Sequence, residues 1–236
     1  MGWPSSDPDA RDAGFATASA MIVSLALGLM ATALLGVSLE QLRLSRGDLA
    51  RDKVMFALAG AQNVAAVVLM QVGDQPRLRW TVSATGDPVR MLAEDETKKL
   101  ALAAAANLDA EVLTRLEIRD AGPLRQRLQA LAASQGLAVA DADTAPLWRA
   151  CAPSLISFYG QAAKPPRLTA QTPLAVAGAS HVGEIWRLRA QLGDWADDRL
   201  VRLTGDPGHP VAIVTRRLTR SGKGDAPCDA LFGETL

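Results

Sequence analysis

The alternation of apolar and polar positions changes character several times along this chain. From Gly14 to Leu39 there is no alternation, because GFATASAMIVSLALGLMATALLGVSL contains no charged side chain. That run exceeds the roughly 20 residues needed to cross a bilayer as a helix. A secretory hydrophobic region is shorter, about 7–15 residues, with a small-residue cleavage site after it. Here Ala-Thr-Ala at 16–18 stands at the beginning of the run instead. The pattern predicts a transmembrane helix over 15–39.

A different rhythm follows. There is no proline from Glu40 to Gln71, and Val54, Leu58, Ala61, Ala65 and Val68 recur at spacings of four and three. Such spacing lays one apolar stripe along a helix. Arg43, Arg46, Arg51, Asp52 and Lys53 form a polar section between the two apolar ones. As one helix, Phe15 to Gln71 would extend on the order of 85 Å at 1.5 Å per residue. Gly47 and Gly60 each weaken it by about 1 kcal/mol relative to Ala, so a kink is an option. Lipid serves as solvent for the first half, whereas the stripe in 40–71 needs a protein surface.

The body has less regular patterning. Over 72–96 the turn signals VGDQPR and TGDPVR flank LRWTVSA, which predicts loop and one short strand. Residues 97–180 read as a helical insertion with loops. TKKLALAAAA is rich in helix formers, Asn107 is a candidate cap for a second segment, and Gly122-Pro123 opens a third. That third segment carries Leu124, Leu128 and Leu131 on one face and ends at Gly136. Prolines at 146, 153, 165, 166 and 173 predict mostly loop after it, with one short helix or strand at PSLISFYG. Residues 181–220 alternate with period two. Trp186, Leu188, Ala190 and Leu192 face one way and Arg187, Arg189 and Gln191 the other; Val201 pairs with Leu203, and Val211 with Ile213, although Val214 falls on the wrong side. This predicts an antiparallel β-meander that the 54–68 stripe would cover. The tail 221–236 reads as loose unless Cys228 ties it down.

Charge and chemistry add exclusions. Lys and Arg total 25, as do Asp and Glu, so nothing points to nucleic acid. Asp95 with Glu96, and Asp7 with Asp9, are the nearest approach to carboxylate pairs, and nothing makes them converge on a cleft as catalysis requires. We expect no enzyme and no cofactor. Asp194, Asp197 and Asp198 fall in an expected turn, which reads as a solvated acidic turn or, secondarily, a calcium site. His181 and His209 are isolated and expected on surface loops, and Trp186 is expected in the core. In an oxidising compartment Cys151 and Cys228 are a candidate disulfide, closing a loop of roughly 78 residues at about 4–5 kcal/mol in the chain-entropy model. In a reducing one they stay thiols. Arg11 is the only basic residue before the span, beside Asp7, Asp9 and Asp12, whereas Arg43, Arg46, Arg51 and Lys53 follow it. By the positive-inside rule that distribution puts the body in the cytoplasm.

A long N-terminal helix with a hydrophobic first half, followed by a small antiparallel sheet, resembles the type IV pilin-like proteins. Gly14-Phe15 resembles the junction that prepilin peptidase cuts in that family before N-methylating the new terminus. Within the family the chain is most similar to the minor pseudopilin K of type II secretion systems, as a shortened or divergent member. The likeness lies in three places: the N-terminal helix through AQNVAAVVL, EDETKKLALAAA at the head of the insertion, and GEIWRLRAQL with RLVRLTGDPGHPVAIV at the closing strands. Most pilin-like subunits carry Glu at the fifth mature position, where it neutralises a neighbour's terminal ammonium in lipid. Ser19 stands there, as befits a subunit with no neighbour ahead of it. An ordinary membrane helix would also lack that Glu.

The resemblance implies an α+β pilin-like fold: a leader at 1–14, a helix whose membrane half is 15–39, and a sheet at 181–220. It implies a structural tip subunit in the inner membrane with a periplasmic body. The implied partners are other minor pseudopilins in a hetero-oligomeric tip complex, prepilin peptidase, the inner-membrane secretion platform and the lipid bilayer. A minor pilin of a type IV pilus or competence system is the alternative within this physics. An uncleaved bitopic anchor carrying a small binding domain is the alternative outside it, and the charge asymmetry favours that one.

Overall fold

The computed structural model describes residues 9–83, 86–176, 180–206, 208–220 and 226–232, and leaves the side chains of 9–19, 26, 226 and 227 undescribed. The chain is α+β and divides into two compact units, Met1–Lys53 and Val54–Leu236. One helix, α1 (Asp9–Leu69), runs through both with no break at Gly28, Gly36, Gly47 or Gly60. In the first unit every described side chain from 20 to 53 is exposed. This helix is long and apolar enough to cross a membrane.

The second unit has two cores. One lies between the end of α1 and a five-stranded sheet. The strands are β1 (Arg77–Ser83), β2 (Pro88–Asp95), β5 (Ile185–Leu192), β6 (Trp195–Leu203) and β7 (Val211–Arg220), ordered β1-β2-β5-β6-β7. All neighbours are antiparallel. Ala57, Leu58, Ala61, Ala65, Ala66 and Leu69 of α1 pack on Leu78, Met91, Ala93, Trp186, Leu188, Ala190, Val201 and Leu203 of the sheet. Val54 and Val68 flank the contact half-buried. The small alanines let helix and sheet approach closely, and the larger Leu, Met and Trp side chains fill what remains.

The second core is helical. It contains α2 (Leu102–Ala105), α3 (Ala110–Arg115), α4 (Ala121–Ala133), α5 (Pro146–Leu155) and α6 (Ala226–Phe232). A short parallel pair, β3 (Leu100–Ala101) with β4 (Ile156–Ser157), joins its two ends. Leu116, Leu124, Leu128, Trp148, Leu155 and Phe232 form its centre. The Trp148 indole donates to the Val139 carbonyl at 3.0 Å, so this buried aromatic leaves no polar atom unsatisfied.

Several expectations need correction. Residues 72–96 form a hairpin of two strands rather than loop and one strand. The turn chemistry at Gly86-Asp87-Pro88 is real, but Pro88 starts a strand instead of extending the loop. Asp109, not Asn107, takes the N-cap position of α3. Asp120 caps α4, accepting from the Gly122 N–H at 2.9 Å, so that helix begins two residues before Pro123. Gln135 is the left-handed residue after α4, with φ 54°, rather than Gly136. At Gly136 an added Cβ would meet Leu131 Cδ2 at 2.6 Å, which a rotation of that half-buried side chain would relieve. The segment PSLISFYG is both helix and strand, divided at Leu155. The tail is not loose where it is described. It forms α6, whose Cys228 and Phe232 are buried.

Candidate functional site

The feature with the clearest physical consequence in the first unit is the stretch from Ala20 to Leu39. Met21, Ile22, Leu25, Leu29, Met30, Leu34 and Leu35 are large, apolar and exposed. Water would penalise such a helix by about 25 cal/mol for each Å² of apolar surface, which lipid would not. Thr32 donates its hydroxyl to the Leu29 carbonyl at 2.9 Å, leaving no unpaired hydroxyl on this stretch at that position. Gly14, Phe15 and Ser19 belong to the backbone of α1, but their side chains lie outside the described residues, as does Asp7.

In the second unit Glu94, Glu96 and Lys99 of EDETKK converge. Lys99 Nζ donates to Glu94 at 2.8 Å, to Glu96 at 2.6 Å and to the Pro153 carbonyl at 2.7 Å. All three ammonium protons are thereby used. Arg77 Nε lies 3.0 Å from Glu94, and its Nη1 lies 2.8 Å from Asp229 of α6. Arg187 holds Glu96 at 3.1 Å and Asp198 at 3.4 Å, and Arg189 reaches Asp198 at 3.1 Å. The network ties both strands of the first hairpin, β5, β6, α5 and α6 together. Burial pushes the Glu94 carboxyl upward, but Lys99 and Arg77 outweigh it and hold the group at about 2. Burial likewise raises Asp198, and the Arg187 and Arg189 guanidinium groups bring it below the usual value.

Asp95 and Glu96 turn to different partners. Asp95 turns away to accept from the Thr97 N–H at 2.8 Å and hydroxyl at 2.6 Å, and burial raises its pKa despite these bonds. Glu96 serves Lys99 and Arg187.

The acidic turn expected at 194–198 is also corrected. Only Asp194 lies in the turn between β5 and β6. Asp197 and Asp198 are successive residues of β6, so they face opposite sides of the sheet and share no ligand site. Asp197 is fully buried, held by Arg199 at 2.6 Å and Arg216 at 3.0 Å, while Gln62 of α1 donates to its backbone carbonyl at 2.7 Å. Among the described residues no group of three or more His, Cys, Asp or Glu side chains can hold a metal ion.

His181 is buried rather than on a surface loop. Its Nδ1 faces Glu184 at 2.8 Å and its Nε2 faces the Val72 carbonyl at 2.9 Å. Two acceptors require two ring N–H groups, which is the imidazolium form. Burial lowers the pKa, but the Val72 carbonyl and Glu184 prevail and raise it. His209 stays exposed, and Trp186 is in the core with its indole N–H 3.2 Å from Glu184.

Cys151 of α5 and Cys228 of α6 are joined as a disulfide across a sequence separation of 77. Both are buried in the helical core beside Trp148 and Phe232. Together with the Asp229 ion pairs to Arg77 and Arg79, the bond fixes the tail to the body.

No protein-family model, no curated protein and no solved structure matches this chain. Its residues and geometry therefore carry the functional argument alone.

Proposed function

We propose that this chain is a non-enzymatic structural subunit at the tip of a type II secretion pseudopilus, where it initiates or caps assembly for protein export. The carrying observation is the continuity of α1. An uncharged, exposed segment suited to lipid leads into a stripe of small apolar residues buried on an antiparallel sheet. This order is the resemblance's own order, and the Gly14-Phe15 junction stands at its head. Ser19 agrees with a subunit that has no neighbour ahead of it. The Cys151–Cys228 bond favours a body in an oxidising compartment such as the periplasm, against the charge asymmetry around the span. In this reading the chain waits in the inner membrane through residues 15–39, and its body joins sibling minor pseudopilins. This reading assigns the chain no catalytic step; Glu96 is held in ion pairs and Asp95 by hydrogen bonds to Thr97.

Deletion of the gene tests the proposal. Loss of extracellular export, restored by the wild-type chain but not by Gly14→Val, is expected. Intact export with loss of pili or DNA uptake would move the chain to a type IV pilus or competence system. No phenotype in any of these would leave the bitopic anchor, which the basic cluster at Arg43, Arg46, Arg51 and Lys53 favours.

A further inference from the structure

The two edges of the five-stranded sheet are treated differently. On β1, Arg79 N–H donates to the Gln171 carbonyl at 2.8 Å and Gln171 N–H to the Arg77 carbonyl at 3.0 Å, so a crossing segment covers that edge. On the far side, among the described residues, β7 pairs only with β6. Its ten residues are mostly exposed, including Ile213 and Val214. An open edge of this length presents a row of backbone N–H and C=O groups ready to pair with another strand. The edge carries a bulge, because Leu200 faces Thr215 and Val201 faces Ile213, leaving Val214 unmatched.

The charge beside this edge has one dominant sign. Arg217 lies directly across from Asp198, which already serves Arg187 and Arg189. These residues form the floor of a groove of about 580 Å³, whose opposite wall brings Arg149 and Asp141. Five arginines, Arg149, Arg187, Arg189, Arg216 and Arg217, line the groove with Asp141 and Asp198, while Glu96 pairs with Arg187 and Asp197 with Arg216. Further along the strand, Arg220 lies over the Trp195 ring at 5.6 Å.

We propose that β7 and the arginine groove beside it dock an extended, acidic polypeptide segment of another protein. That segment adds as a sixth strand along β7, with a carboxylate on its groove-side face beside Arg217, the member of the arginine row that lies on the edge strand itself. Strand addition takes its affinity from main-chain pairing and its selectivity from alternate side chains, and this edge supplies both. A second copy of β7 is a poor occupant, since pairing would set a strand bearing Arg216, Arg217 and Arg220 against itself. A polyanion without a peptide backbone would meet the cations and leave the edge unpaired. The inference holds whether the chain is a fibre tip or a simple anchor.

The test uses the full chain in detergent micelles and a labelled, end-blocked peptide of alternating Glu and Val. Saturable binding is expected. It should weaken at least tenfold when Lys replaces Glu in the peptide, when every peptide nitrogen is methylated, and in Arg217→Glu. Arg125→Glu, on the exposed side of α4, should stay within twofold of wild type. Absence of saturable binding overturns the proposal, as does equal binding of the methylated peptide or an equal loss in Arg125→Glu. A dimer of the chain that Arg217→Glu dissolves would assign the edge to a second copy and overturn it too.

Discussion

Lys99 and Glu94 carry opposite charges almost fully out of water, so their worth depends on mutual satisfaction. Isolated buried charges are heavily penalised, and pairs are tolerated only when every proton and lone pair finds a partner. Lys99 has three acceptors within 2.8 Å, whereas the other Glu94 oxygen meets Arg77 Nε at 3.0 Å as a charge contact without hydrogen-bond geometry. Removing one partner strands the others. Glu94→Gln should destabilise the body by about 3–5 kcal/mol, read from denaturant unfolding by the fluorescence of the buried Trp148 and Trp186. The folded pKa of Glu94 lies at about 2 against an ordinary 4.5. Its contribution is therefore fully present above the unfolded value and fades as pH falls from about 4.5 toward 2. The wild type should lose stability across that window, and Glu94→Gln should flatten the loss. His181 has the opposite sign. Its folded pKa is raised from 6.5, so its contribution is complete below the unfolded value and disappears as pH rises through the folded one. His181→Gln should remove a fall in stability above about pH 6.5; an unchanged profile would mean that the ring is not cationic. Little of this was legible in EDETKK or in a lone His. The partners Arg77, Arg187 and Val72 lie far off in sequence, and only the fold brings them near.

At the scale of elements, α1 and the closing strands were legible because one period governs each. Leu58, Ala61 and Ala65 repeat every three or four residues, and Trp186, Leu188 and Ala190 repeat every two. Even Val214, which spoils the alternation of β7, has its explanation in the bulge opposite Leu200 and Val201. Strand β2 was not legible. It lies inside the sheet and is buried continuously from Met91 to Asp95, so no alternation betrays it, and its acidic end mimics a solvated loop. The stripe itself is testable. Ala61 is fully buried between helix and sheet, and Ala61→Leu should overpack the contact at about 1–3 kcal/mol. An equally stable variant would deny the close approach. The disulfide belongs to this scale as well. In the chain-entropy model, closing 77 residues is worth about 4–5 kcal/mol. Native protein from the host should resist thiol labelling at Cys151 and Cys228 until it is reduced, and labelling of both without reduction would contradict the bond.

For the whole molecule, the sequence carries two signals that point in opposite directions. The basic cluster after the span would hold the body in the cytoplasm, whereas the disulfide and the Gly14-Phe15 junction suit export. Charge near a span biases insertion statistically, while cleavage at Gly14-Phe15, as proposed, would have a single chemical outcome. The helix and the sheet that the pilin-like reading requires are both present as separate facts of the structure. In the proposed reading, processing at the Gly14-Phe15 peptide bond joins them into a function. The most direct measurement is the intact mass of the chain purified from its native host, with and without prepilin peptidase. Loss of residues 1–14 together with gain of one methyl group, only when the peptidase is present, is the result expected of a fibre subunit. An unprocessed chain in the peptidase-positive host would contradict that account and leave a membrane anchor.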